Sequence, residues 1–116
     1  MIEHVLAVVP VSGVDRATRY YEQLFGRAPD NRPMATLVEW RVTDSGWLQV
    51  FSGTDGAGGA FVNFAVDDLD GWLDGLRSRG ITPGDVQEAD KGVRLSAVTD
   101  PDGNTITFIG GFRVRY

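Results

Sequence analysis

The chain has 116 residues, 42% of them hydrophobic and 23% charged, with a formal net charge of −5 and no cysteine. That size and mix fit one globular domain with a modest core, and no apolar run is long enough to span a bilayer. The acidic balance without a basic run argues against a nucleic-acid surface, and the lack of cysteine excludes disulfides, thiolate metal sites and a cysteine nucleophile.

The first residues, MIEHVLAVVPVSGVDR, carry neither a basic leader nor an A-x-A cleavage site. They read as a strand, HVLAVVPV at 4–11, rather than as a secretory signal, and the expected location is cytoplasmic. Ser12 can cap a helix that begins near Val14, with an acid three residues on. Val14, Ala17, Tyr21, Leu24 and Phe25 follow at helical spacing, and Gly26 with Pro29 ends the run. A strand is expected over 36–43, then a turn at Asp44-Ser45-Gly46, then a paired strand WLQVF at 47–51.

Residues 52–60, SGTDGAGGA, form a glycine-rich connection. They lack the G-K-[ST] ending of a phosphate loop, and no helical pattern follows them. FVNFAV at 61–66 reads as the next strand. Asp67 and Asp68 can cap a helix carrying Leu69, Trp72, Leu73 and Leu76, which Gly80 and Pro83 end. Residues 84–90 are a weak strand candidate. GVRLSAVT at 92–99 and NTITFI at 104–109 are two strands joined by Asp100-Pro101-Asp102-Gly103. Proline presets one turn position there and glycine accepts positive φ at another.

The two halves repeat. Val14, Ala17 and Tyr21 match Leu69, Trp72 and Leu76, and the Gly26/Pro29 exit matches Gly80/Pro83. Each half places a helix on only one face of a small sheet, so two halves, in one chain or across a dimer, can close over a shared cavity.

Three stretches, PVSGVDRATRYYEQLFG at 10–26, FVNFAVDDLDGWLDGLRSRG at 61–80 and DPDGN at 100–104, resemble the vicinal oxygen chelate superfamily. That group holds glyoxalase I, extradiol dioxygenases and bleomycin-resistance proteins. The resemblance implies an α+β fold: a single domain over 1–116, with two βαβββ modules at about 1–55 and 60–112 curving around a pocket. It also implies a homodimer.

Metal-dependent members of the superfamily hold a divalent ion with His and Glu from four strands. Carried over by position, those sites fall on Leu6, Gln49, Phe61 and Thr107. Leucine and phenylalanine cannot bind a metal, and glutamine and threonine are weak neutral donors. No metal or other cofactor is expected. His4, the only histidine, precedes Leu6 by two residues and shares its strand face. A two-residue shift of register would make it a lone ligand. The alternative is a partly exposed histidine opening an edge strand.

Strand alternation sorts the pocket side. With Leu6, Phe61 and Thr107 facing it, so do Val8, Asn63, Ala65, Thr105 and Ile109. On the remaining strands the expected pocket side takes in Trp40, Trp47, Gln49 and Phe51, with Arg94 and Ser96. Glu39 and Arg41 are expected on the opposite face, where they can pair at the surface. The tryptophans can stack a ligand, or fill the core or a dimer contact. No G-x-S-x-G elbow occurs, and Asp67, Asp68, Asp70 and Asp74 read as capping charges at a helix start. The expected function is therefore the binding of a small molecule, cationic or aromatic, without chemistry. The alternative is a lyase, isomerase or dioxygenase of the superfamily with a non-standard site.

Overall fold

A computed structural model describes residues 1–53 and 55–112. The first half runs β1 (Val5–Val11), α1 (Val14–Phe25), β2 (Asn31–Met34), β3 (Leu37–Thr43) and β4 (Gly46–Ser52). The second runs β5 (Phe61–Ala65), α2 (Leu69–Ser78), β6 (Gln87–Glu88), β7 (Arg94–Thr99) and β8 (Thr105–Gly110), with a short 3-10 turn at Asp90–Gly92. Each half is a four-stranded sheet, ordered β1-β4-β3-β2 and β5-β8-β7-β6. The outer pairs β1/β4 and β5/β8 are parallel, and the remaining neighbours are antiparallel. This is the α+β layout of two βαβββ modules that the resemblance implies.

Local chemistry explains most boundaries. Asp68 caps α2, accepting from the Gly71 N–H at 3.1 Å. At α1 the cap differs from expectation: Gly13 occupies it and no side chain bonds there. Gly26 ends α1 at φ +72, a left-handed conformation that glycine takes without Cβ strain, and its N–H donates to Glu22 O. Strand β2, NRPM, carries no apolar alternation; all four residues are exposed and Pro33 stands inside it, the composition of an edge.

Both helices press on the inner faces of the sheets, and the two modules share one core. Val9, Val11, Val38, Trp40, Leu48 and Val50 meet Tyr21 and Leu24 there, together with Leu73, Leu76, Ile106 and Phe108 of the second module. Phe25 of α1 stands edge-on to Phe64 of β5, with centroids 5.9 Å apart. Arg79, just past α2, donates to the carbonyls of Gln23 and Leu24 at the end of α1. A cation there complements the negative end of the helix.

The DPDGN turn is more than a hairpin. Gly103 N–H closes it onto Asp100 O at 3.1 Å, and Gly103 has φ +96. Asp100 and Asn104 are both buried, at 4% and 0% exposure. One Asp100 oxygen accepts from the N–H groups of Asp102 and Asn104, and the other from Asn104 Nδ2 and Tyr21 Oη. Asn104 also donates to Pro10 O in β1 and accepts from Ala60 N in the connection to β5. Every polar atom of this buried knot has a partner, so its desolvation is offset and it ties the modules at fixed geometry. Among the described residues no helix is long and apolar enough to cross a membrane.

Candidate functional site

With the inner faces joined in one core, the outer faces of the two sheets point away from it. On the first sheet the register puts Leu6 beside Trp47, Val8 beside Gln49 and Pro10 beside Phe51. Leu37, Glu39 and Arg41 of β3 lie opposite Phe51, Gln49 and Trp47. On the second sheet Phe61, Asn63 and Ala65 pair with Thr105, Thr107 and Ile109, and Ala97 lies across from Thr107. The expected set Leu6, Val8, Trp47, Gln49, Phe51, Phe61, Asn63 and Thr107 thus lies on these outer faces.

Three expected pocket residues lie on the other side. Trp40 is fully buried on the helix face, where its Nε1–H donates to Arg27 O and its ring meets Tyr21 and Phe25. Ser96 is buried opposite Phe108, its hydroxyl donating to Gly84 O at 2.6 Å. Arg94 turns toward α2 and pairs with Asp70 at 3.3 Å. The physical reason is the phase of β3 and β7. Val38, Trp40 and Val42 form the apolar set that the core takes, and Ser96 belongs with Val98 on the buried side.

Glu39 and Arg41 are corrected the opposite way: they stand on the outer face. Gln49 Nε2 donates to Glu39 Oε2 at 2.6 Å. The Arg41 guanidinium lies 5.7 Å from the centroid of the Trp47 ring and donates to Asp44 O. It does not pair with Glu39. Sequence reasoning missed both residues, although the unbroken apolar series Val38–Trp40–Val42 was the signal that the polar series faced out.

The outer faces are unusually apolar for surfaces left open. Leu6, Val8 and Phe61 are 51%, 50% and 79% exposed, and all three lie on β1 and β5. Those strands are also edges of their sheets, and at the end of β1 Pro10 O accepts from the Gly58 N–H and Asn104 Nδ2. Two depressions lie elsewhere. One of about 630 Å³ skirts the end of α1 beside Arg19, Arg27 and Arg79. The other, about 280 Å³, sits between the modules among Phe25, Phe64, Trp72 and Phe108. Neither takes in Leu6, Gln49, Phe61 or Thr107.

The side chains at the four superfamily ligand positions do not suit a divalent ion. Leu6 and Phe61 offer only hydrocarbon, and Gln49 and Thr107 only neutral oxygen. His4 is exposed ahead of β1. Among the described residues no three His, Cys, Asp or Glu side chains come together to hold a metal. The acids at the start of α2 have other work: Asp68 caps the helix, Asp70 meets Arg94 and Asp74 meets Arg77.

The strongest electrostatic perturbation lies away from the outer faces, at the inter-module knot. Burial and the neighbouring Asp100 raise the Tyr21 hydroxyl far above its ordinary range, and push Tyr20 up to about 12. These phenols stay neutral donors at physiological pH.

Comparison with known proteins agrees with this geometry. A glyoxalase/bleomycin resistance protein from Catenulispora acidiphila DSM 44928 is 30% identical, covering 92% of this chain and 96% of its own, with a TM-score of 0.86. A bleomycin-binding protein complexed with bleomycin shares the fold at 21% identity, 94% and 98% coverage and a TM-score of 0.76. TnmS3, an antibiotic binding protein from Streptomyces sp. CB03234, does so at 20% identity, 95% and 96% coverage and a TM-score of 0.76. No curated protein matches. The family model matches residues 1–108. The chain belongs to the Glyoxalase/Bleomycin resistance protein/Dioxygenase superfamily.

Proposed function

We propose that this protein binds a small molecule, cationic or aromatic, without transforming it, in a pocket that two copies complete. The observation that carries the reading is the pair of outer sheet faces. They expose Leu6, Val8 and Phe61 beside Trp47, Gln49, Asn63 and Thr107, an apolar lining with a few neutral polar groups. Such a lining gives affinity through buried area and orientation through a few hydrogen bonds. The bleomycin-binding and antibiotic binding proteins of the same fold lend support from function.

The edge positions of β1 and β5 support a homodimer. If β1 of one copy meets β5 of the other, twofold symmetry brings the second β1 and β5 together as well, so no apolar edge is left over. Each outer face then confronts the other type of face across a cavity. With leucine, phenylalanine, glutamine and threonine at the ligand positions, the pocket works without a metal.

The test combines metal analysis with a ligand-screen thermal shift. The reading expects no stoichiometric nickel, zinc, iron or manganese, and a rise in melting temperature with selected organic ligands that are recovered unchanged. A stoichiometric metal, or conversion of the ligand, would instead establish an enzyme of the superfamily with a non-standard site.

A further inference from the structure

Glu39 is the one carboxylate on the outer faces of the paired strands among the described residues. It is half-buried and lies in no ion pair of the described residues, its side-chain bond being the one from Gln49 Nε2. Two residues along the same face, Arg41 is committed elsewhere, to Asp44 O and the Trp47 ring. In the dimer proposed above, the facing strands among the described residues supply no counter-charge either. The outer face of the second sheet is neutral, carrying Phe61, Asn63, Thr105, Thr107, Leu95 and Ala97. A carboxylate closed into an apolar site without a positive partner is costly, and a charge-assisted bond offsets that cost.

We infer that Glu39 anchors a positively charged nitrogen group of the ligand, with Gln49 holding the carboxylate in place. This rests on the reading of the outer faces as the ligand surface. The ligand class is an organic cation whose charge sits at the Glu39 end. Its uncharged part runs toward Val8 and Phe51, away from the row of Arg41, Trp47 and Leu6. The aromatic alternative for a cation, the face of Trp47, is already met by Arg41, which leaves Glu39 as the charge-selective contact.

The test compares two probes of one shape, benzamidine and benzamide, at neutral pH and constant ionic strength. Binding is read from the Trp47 indole N–H resonance in the full chain. The wild type is expected to favour benzamidine by about tenfold or more, the worth of a charge-assisted hydrogen bond. Glu39→Gln is expected to bring the two probes to within about twofold of each other. Asp67→Asn, a change of equal net charge at the exposed start of α2, keeps the preference. Equal binding of both probes by the wild type overturns the role of Glu39 while leaving a ligand surface. The role is also overturned if Asp67→Asn abolishes the preference as fully as Glu39→Gln does. Absence of any response at Trp47 to either probe overturns the ligand surface itself, and the role of Glu39 with it.

Discussion

Tyr21 Oη donates to Asp100 Oδ2 at 2.8 Å across 79 residues of sequence, joining the first helix to the last hairpin. The bond is buried, and Asn104 extends it to β1 and to the connection between the modules. Tyr21→Phe removes one donor and leaves Asp100 its three others. The expected loss is about 1–2 kcal/mol in urea unfolding. Asp100→Ala strands several buried donors together and is expected to cost about 3 kcal/mol or more by the same measurement.

The same knot makes a prediction about alkaline pH. Tyr20 is pushed up to about 12 and Tyr21 higher still, against an ordinary value of 10.0. Folded values above the unfolded one mean that the folded state keeps protons which the unfolded state releases. The stabilisation is complete below about pH 10 and is lost as pH rises through about 12. Absorbance titration near 295 nm is expected to show these phenols ionising late and together with unfolding, whereas Tyr21→Phe titrates earlier.

Arg79 links the helices from the other side. Its guanidinium bonds the last carbonyls of α1 and lies 5.9 Å from the centroid of the Trp72 ring. Arg79→Ala is expected to destabilise the fold by about 1–2 kcal/mol, with Arg79→Lys intermediate because lysine keeps the charge but not the fork. Thermal denaturation of the three proteins checks the order.

The correction at β3 has a spectroscopic consequence. Trp40 is fully buried, while Trp47 lies half-buried on the outer face. Acrylamide quenching is expected to fall sharply in Trp47→Phe. The ligand-induced change of fluorescence is expected to disappear in that variant and to persist in Trp40→Phe.

Much of this layout was legible from residue chemistry. The helix stops at Gly26 and Gly80, the cap at Asp68 and the turn at DPDGN each rest on one local cause, and the repeat joined them into two modules. The outer positions on β1, β5 and β8 also followed, because the DPDGN turn set the phase of the last strand. The phases of β3 and β7 did not follow. When the face left open is itself apolar, alternation no longer separates inside from outside, and tryptophan suits either. Trp40 and Trp47 therefore looked alike until pairing opposed Trp40 to Leu48 and Arg41 to Trp47. Ser96 looked like a pocket donor because its partner, Gly84 O, comes from a segment with no pattern of its own.

The pairing of two copies through β1 and β5 is tested most directly by mixing two disabled chains. Leu6→Asp and Phe61→Asp each place a charge in both β1–β5 contacts of a twofold dimer. A mixed dimer gathers both charges into one contact and leaves the other intact. Sedimentation equilibrium is expected to show a wild-type dimer, two folded monomeric variants, and renewed dimer in the equimolar mixture. A wild type that stays monomeric across the accessible concentrations, or a mixture that sediments as the plain average of its parts, would contradict a pocket shared between two copies.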